Sequence, residues 1–160
     1  MKCDVEAAYR AAIRLLGRRA HSRKELAQKL RQRGYAEAVR TEALRRCEAQ
    51  NYLDDAAACE GYCLELIRKG FGPRAIRQRL AGRGFDGALI GSVLVALYPR
   101  EVVRETARAV AVRKADQLRA RYHESLELRA RLTRYLNQRG FPADILHEVV
   151  AIAVNDVTGR

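Results

Sequence analysis

The sequence predicts an all-α fold, an elongated tandem array of three three-helix repeats with about nine helices in total. The first observation is a sequence motif that occurs three times, in which two apolar residues at helical spacing precede a basic residue, a glycine and an aromatic. The second is that apolar residues recur at three- and four-residue steps on both sides of each copy. The third is the lack of any segment with the period-two alternation of a strand. The copies are Leu26, Leu30 and Arg33-Gly34-Tyr35; Ile76, Leu80 and Arg83-Gly84-Phe85; and Leu132, Leu136 and Arg139-Gly140-Phe141.

The spacing of these copies divides the chain into repeats at 1–52, 53–99 and 100–160. The sequences of the first two repeats are also similar on the N-terminal side of the motif, and this similarity adds a third helix to the unit. The matching residues are Leu16, Arg18 and Arg19 in one repeat and Leu66, Arg68 and Lys69 in the other. Because such repeats share their core with their neighbours, we expect an elongated body.

In the first repeat, an apolar stripe from Val5 to Leu16 predicts helix one, which ends near Arg19. Ser22, followed three residues later by Glu25, has the form of a capping box, in which the hydroxyl and the carboxylate each accept a hydrogen bond from a free backbone amide. Helix two is therefore expected over Arg23 to Arg33.

Glycine ends helix two and sets the start of helix three. Gly34 supplies the left-handed backbone position that terminates a helix, and Tyr35 is expected to fold back as the hydrophobic contact after it. The aromatic is therefore interpreted as structural. Helix three is predicted over about Ala36 to Gln50.

In the second repeat, Asp54 and Asp55 provide an acidic start for helix four, which extends to about Lys69. Gly72-Pro73 opens helix five, because proline is tolerated at the first helical position, where an amide is not needed. Helix six is predicted over about Gly87 to Leu97.

In the third repeat, Tyr98-Pro99 interrupts the chain and helix seven begins near Arg100. Its end is expected between Ala115 and Glu124. Helices eight and nine are predicted over about Ser125 to Arg139 and Pro142 to Asp156.

The charge balance favours a negatively charged partner. Lys and Arg number 31 against 19 Asp and Glu, a net charge of +12 with a pI near 10.1, as expected for a protein that meets nucleic acid or an acidic protein face. Residues 1–50 hold thirteen basic and six acidic side chains, so the first repeat carries the strongest field. No segment is apolar enough to span a bilayer or to serve as a signal core. We therefore expect a cytoplasmic protein without a membrane contact.

The sequence offers no support for catalysis, a metal or a cofactor. The three histidines, His21, His123 and His147, lie in different parts of the sequence, and none has a nucleophile or carboxylate at a diagnostic spacing. No glycine-rich phosphate loop is present. Cys59 and Cys63 lie on one apolar helical face, which predicts buried thiols rather than half of a zinc site. The chain is interpreted as a monomeric protein that is not an enzyme.

Basic side chains on the outer helix faces are the candidate binding residues. The helices in which Leu26 and Ile76 face inward leave cations outward, and two basic doublets immediately precede these helices. Such a row suits a phosphate backbone or an acidic polymer surface. The candidate residues are Arg18, Arg19, Lys24, Arg68, Lys69, Arg74 and Arg77.

A second interpretation assigns these charges to ordinary helix chemistry. Cations near a helix C-terminus complement the dipole, and charges on outer faces are simply solvated. For Arg33, Arg83 and Arg139, each next to a stop glycine, this is the interpretation we favour. The third repeat has Glu124 and Ser125 where the basic doublet would align, so the row of cations is not expected to be uniform.

An ordered set of motifs resembles the RecX family of bacterial regulatory proteins over the whole chain. Its parts are Arg19-Ala20-His21-Ser22-Arg23-Lys24-Glu25-Leu26, Arg33-Gly34-Tyr35, Tyr52-Leu53-Asp54-Asp55, Lys69-Gly70-Phe71-Gly72-Pro73-Arg74-Ala75-Ile76 and the closing Arg139-Gly140-Phe141. One departure is Asn51, where the family usually has glycine. Asparagine also tolerates the left-handed conformation, so this departure changes little.

The resemblance implies a protein that regulates RecA, the recombinase that polymerises on single-stranded DNA and hydrolyses ATP. Family members typically lie in the groove of the filament, inhibit it and favour its disassembly, which limits strand exchange, co-protease activity and the SOS response. The partners would be the RecA filament and single- and double-stranded DNA. Two alternatives stay open: a basic protein that only competes for single-stranded DNA, and a helical-repeat adaptor for an unrelated acidic partner.

Overall fold

The computed structural model describes residues 2–119, 121–122 and 125–158, and this part of the chain contains nine α-helices. Each predicted helix is present, which confirms the all-α class and three helices in each repeat. The helices are α1 (Val5–Leu16), α2 (Arg23–Gln32), α3 (Glu37–Ala49), α4 (Asp55–Arg68), α5 (Pro73–Gly82), α6 (Gly87–Leu97), α7 (Arg100–Arg119), α8 (Ser125–Gln138) and α9 (Ala143–Thr158).

The predicted helix starts use the expected side chains, with one change of partner. Ser22 Oγ accepts a hydrogen bond from the Glu25 amide at 3.0 Å, as the capping box requires. The Glu25 carboxylate, which was predicted to accept from a backbone amide, accepts from the Arg19 guanidinium instead. Asp54 Oδ1 accepts from the Ala57 amide at 3.0 Å, which confirms the acidic start of α4.

The three stop glycines adopt the predicted left-handed backbone. Their φ angles are 84° at Gly34, 86° at Gly84 and 84° at Gly140. The aromatic that follows each glycine is buried, so its predicted structural role is confirmed. Asn51 also has a positive φ, of 58°, as expected where glycine would otherwise stand.

The chain forms two compact units. The first comprises Met1–Tyr62 with Leu80–Ile90, and the second comprises Cys63–Arg79 with Gly91–Arg160, so that α4, α5 and α6 contribute to both. The predicted repeats at 1–52, 53–99 and 100–160 are units of sequence rather than of contact, and their boundaries stay a prediction.

Each unit has its own apolar core. In the first unit α1 packs on α2 and α3, and Ala8, Ala12, Leu26, Leu30 and Leu44 are at most 2% exposed. In the second unit α7 packs on α8 and α9, and the core includes Ala107, Leu132, Leu136, Phe141 and Val149. Among them, Leu26, Leu30, Leu132 and Leu136 are residues whose helical spacing predicted the repeats. Their burial is expected because the inward stripe must be buried for each helix to be stable.

Helix α7 is the longest described helix and ends at Arg119, inside the predicted interval. Glu124, which was expected to interrupt the row of cations, lies outside the described residues, as does the side chain of Ser125. Cys59 and Cys63 are fully buried, as predicted, and burial raises the pKa of the Cys59 thiol. No described helix combines the length and the apolar character that a membrane span requires.

Candidate basic clefts

Two of the glycine turns are covered by the start of the second helix of the preceding repeat. In the first unit, Ser22 Oγ donates to the Arg83 carbonyl at 2.6 Å. In the second unit, the Gly72 amide donates to the Arg139 carbonyl at 2.8 Å and the Arg74 amide to the Gly140 carbonyl at 3.2 Å. These bonds satisfy carbonyls at the end of a helix and place basic residues of two repeats side by side.

The glycine turn of the first repeat is covered by the N-terminal segment around Lys2. The Lys2 amide donates to the Gly34 carbonyl at 2.9 Å, and the Ala36 amide donates to the Lys2 carbonyl at 3.1 Å. The ammonium group of Lys2 also lies 5.4 Å from the centroid of the Tyr35 ring. All three turns are therefore covered, each by a different segment.

The first cleft, in the first unit, has a volume of about 540 Å³ and carries both signs of charge. Arg19 donates to the Glu25 carboxylate, with Nη1 to Oε2 at 3.1 Å, and to the Tyr62 hydroxyl at 3.0 Å. The Arg83 guanidinium lies 3.9 Å from the centroid of the Tyr62 ring. The lining residues are Arg19, Lys24, Glu25, Gln28, Lys29, Gln32 and the segment 81–84.

The Arg19–Glu25 pair neutralises part of the positive charge of the first cleft. Burial is the largest single effect on the Glu25 carboxyl and acts to raise its pKa, but the hydrogen bonds from Arg19 together with the charges of neighbouring cations lower the pKa overall. Glu25 is therefore ionised at neutral pH. Among the described residues, the other cations of this cleft, Lys24, Lys29 and Arg83, have no such carboxylate ion pair, and Arg83 contacts the Tyr62 ring instead.

The second cleft, in the second unit, has a volume of about 330 Å³, and none of its described lining residues is acidic. Arg139 has a structural role here, because its Nη1 donates to the Lys69 carbonyl at 2.6 Å and its guanidinium lies 4.9 Å from the centroid of the Phe71 ring. The remaining cations of the lining are Arg68, Lys69, Arg113 and Lys114, beside Thr106, Ala109, Val110, Gln117, Tyr135, Ile67 and Gly70.

The clefts collect four of the seven candidate binding residues. Arg19 and Lys24 line the first cleft, and Arg68 and Lys69 line the second. The other three are exposed outside both clefts. Among these, Arg74 donates to the carbonyl and the side-chain oxygen of Asn137, at 2.6 and 3.0 Å, while Arg18 and Arg77 extend toward solvent.

Arg113 and Lys114 of α7 are cleft residues that the sequence argument did not identify. Their signal was a basic doublet, like those at Arg18 and Arg68, but it lay inside a helix rather than at the predicted end of one. The three arginines that precede the stop glycines also differ from one another. Arg83 and Arg139 contact aromatic rings, whereas Arg33 is exposed.

Comparisons with known proteins agree with the repeat pattern. Three family models match successive parts of the chain: RecX, first three-helix domain, at residues 8–47; RecX, second three-helix domain, at 54–94; and RecX, third three-helix domain, at 103–150. A regulatory protein RecX of Thermus thermophilus is 35% identical over 148 residues, which cover 92% of this chain and 93% of the relative. That of Vibrio campbellii is 35% identical over 134 residues, 84% of this chain and 83% of the relative.

Solved structures show the same fold at lower identity. The crystal structure of RecX from Lactobacillus salivarius superimposes with a TM-score of 0.81 at 24% identity, covering 93% of this chain and 96% of the other. A second crystal structure, of a regulatory protein RecX, gives a TM-score of 0.77 at 23% identity, covering 91% of this chain and 70% of the other.

Proposed function

Because this chain belongs to the RecX family of regulatory proteins, we propose that it binds the RecA filament and inhibits it. The observation that carries the proposal is the 35% identity to a regulatory protein RecX over 92% of the chain. Inhibition would lower RecA-dependent ATP hydrolysis, strand exchange and co-protease activity, and so limit recombination and the SOS response. The protein would act as a cytoplasmic monomer and would carry out no catalysis of its own.

The proposed mechanism is electrostatic docking. The net charge of +12 favours an acidic filament surface together with the phosphates of the bound DNA. Docking would bridge or displace adjacent RecA subunits. The residues proposed for these contacts are Arg18, Arg19, Lys24, Arg68, Lys69, Arg74 and Arg77.

The contacts within each unit rank these candidates. Arg19 and Arg74 donate hydrogen bonds inside their own unit, so a partner would have to replace those bonds. Lys69 pairs with Glu65 at 2.5 Å. Arg18, Lys24, Arg68 and Arg77 are exposed and have no described ion pair, and we assign the first contacts with the filament to them.

The test is the ATP hydrolysis rate of preformed RecA filaments on single-stranded DNA as this protein is titrated in. Filament-directed regulation predicts a fall in the rate at molar ratios well below one protein per RecA subunit. If the rate is constant at every ratio, up to saturation of the DNA, the proposal fails.

A charge-reversal pair tests the docking surface. We expect Arg18→Glu with Arg68→Glu to raise the concentration for half-inhibition about tenfold, equivalent to about 1.4 kcal/mol, and to leave the helical content unchanged. The matched control is Arg10→Glu with Arg14→Glu, which changes the net charge equally on an exposed face of α1 outside both clefts. Equal loss in the two variants would mean that only net charge matters.

The second candidate function is a basic protein that blocks RecA by occupying DNA, and the same net charge of +12 supports it. The two functions separate at saturating RecA. A passive competitor must cover the DNA before it inhibits, whereas a filament-directed inhibitor acts while most of the DNA is still covered by RecA. Inhibition that follows DNA coverage at every RecA concentration would support the competitor.

A further inference from the structure

The second cleft continues into a neighbouring depression on the same unit. This depression has a volume of about 160 Å³ and shares Lys114 and Tyr135 with the cleft. The two together are here named the α7–α8 groove. Beyond the cleft residues given above, the depression adds Leu118, Arg131, Arg134 and Gln138.

The α7–α8 groove is strongly and uniformly basic. Seven of its lining side chains are cations and, within the described part of the chain, none is a carboxylate. Three of the seven have structural partners: Lys69 pairs with Glu65, Arg131 with Glu127 and Arg139 with backbone carbonyls. The other four, for which the described residues provide no ion pair, are Arg68, Arg113, Lys114 and Arg134.

The four cations around this groove repel one another, and among the described contacts only that of Lys114 with the Tyr135 ring offsets this repulsion. Each of the structural cations has a partner that explains it, so the remaining four require another explanation. A row of phosphates supplies it, because each phosphate neutralises a cation and releases a condensed counterion.

An aromatic ring lies at the centre of this charge. Tyr135 lines both depressions, and the Lys114 ammonium lies 4.9 Å from its centroid. The guanidinium of Arg131, which also lines the groove, lies 3.9 Å from the centroid of the Tyr122 ring. Cations interleaved with aromatic side chains are typical of proteins that bind single strands, in which bases stack on rings while the backbone follows the positive groove.

We propose that the α7–α8 groove is a binding site for single-stranded nucleic acid. Arg68, Arg113, Lys114 and Arg134 contact successive phosphates, and the half-buried Tyr135 contacts a base. This proposal extends the proposed function by naming the surface that contacts DNA. It rests on that function for one point only, that the strand is the single-stranded DNA on which RecA assembles. Binding needs no base-specific contact, since the groove presents point charges and a ring.

The experiment is the fluorescence anisotropy of a labelled oligothymidine with the full chain, without RecA, over a range of salt concentrations. Arg113→Gln with Lys114→Gln should weaken binding at least tenfold and should reduce the slope of log affinity against log salt by about 1.4, because each phosphate contact to a single strand contributes about 0.7. The control is Arg10→Gln with Arg14→Gln, which removes the same charge from α1. Circular dichroism checks that both variants are folded.

The ring has its own pair of variants. Tyr135→Leu should weaken oligothymidine binding roughly tenfold, whereas Tyr135→Phe should bind as the wild type does, because the aromatic face rather than the hydroxyl meets the base. A duplex of the same length and free nucleoside triphosphates, used as competitors, should displace the strand less well than unlabelled oligothymidine does. A duplex that competes better would overturn the assignment to single strands.

Failure of the groove and failure of the proposed function are distinguishable. If the groove variant and the control lose equal affinity, or if the salt slope is unchanged in the groove variant, the groove is not the site. If the groove variant binds oligothymidine normally but no longer inhibits RecA, the groove instead docks an acidic protein surface. A wild-type chain that binds oligothymidine through the groove but leaves RecA hydrolysis unchanged would overturn the proposed function alone.

Discussion

The two clefts are formed by equivalent parts of successive repeats, but the charges of their lining residues differ. Arg19 and Lys69 occupy matching positions, yet Arg19 is held by Glu25 and Tyr62 within a cleft of mixed charge. The second cleft has no acidic lining residue in its described part, and the Lys69 carbonyl accepts a hydrogen bond from Arg139. The repeated motif thus determines the backbone conformation of the turn, whereas the residues that cover the turn determine the chemistry of each cleft.

The clearest difference between the copies is the space around the stop glycine. A methyl group at Gly34 would meet no heavy atom within 4 Å, and one at Gly84 would lie 3.0 Å from Lys24 Cβ. At Gly140 it would lie 2.7 Å from Ala75 Cβ and would overlap the Ala75 backbone nitrogen. The three glycines share one φ and differ only in how closely the preceding segment covers them.

Alanine at these glycines should have the largest effects on stability. Gly34→Ala is expected to cost about 1–2 kcal/mol, the strain of a left-handed residue alone. Gly140→Ala should cost about 3–5 kcal/mol because overpacking adds to that strain. Gly84→Ala should fall between them. The measurement is the free energy of unfolding from urea titrations followed by circular dichroism.

Gly34→Ala is the matched control within this series, since its backbone change is the same. Equal losses at Gly34 and Gly140 would mean that the segment from Gly72 to Ala75 does not cover its turn tightly. The two clefts would then differ in the charge of their lining residues alone.

The sequence was sufficient to predict the helices and the turns, because both depend on local features. The apolar spacing at Leu26 and Leu30, the proline at Pro73 and the glycine at Gly34 each act within a few residues. All of these predictions are confirmed by the structure.

The partners of the turns could not be predicted in the same way. The bond from Ser22 Oγ to the Arg83 carbonyl joins residues 61 positions apart, and no periodicity encodes it. Arg113 and Lys114 were missed for the same reason, because only packing shows which part of α7 borders the residues before α5. Glu25 was assigned to a capping box because it follows Ser22 by three residues, and this spacing does not show that Arg19 donates to its carboxylate.

The arginines before the stop glycines should show an intermediate effect. Arg139→Gln is expected to cost about 1–2 kcal/mol, because the Lys69 carbonyl loses a charged donor at 2.6 Å and the Phe71 ring loses one of the two cations, Arg79 and Arg139, that lie over it. Arg83→Gln should cost about 0.5–1 kcal/mol through its contact with Tyr62. Urea titrations at pH 7 measure both.

Arg33→Gln provides the control for these two, since Arg33 is exposed and precedes the same kind of turn. We expect its cost to be within about 0.5 kcal/mol of zero. A loss at Arg33 as large as that at Arg139 would favour the helix dipole, which all three arginines share, over the specific contacts.

The smallest expected effect concerns the acid that distinguishes the first cleft. Burial acts to raise the pKa of Glu25 in the folded protein, but the hydrogen bonds from Arg19 together with the charges of neighbouring cations lower it overall. The stability that the Glu25 carboxylate contributes is therefore complete above the unfolded pKa of 4.5 and is lost as the pH falls through the folded pKa. Glu25→Gln should therefore cost up to about 1 kcal/mol at pH 7, and the difference from the wild type should shrink below pH 4.5. Glu65→Gln, which breaks the exposed pair with Lys69 at the matching place in the second unit, should cost less at pH 7. If the two variants lost equal stability, the Arg19–Glu25 pair would be an ordinary surface ion pair, and the absence of acid from the described lining of the second cleft would remain the one electrostatic difference between the clefts.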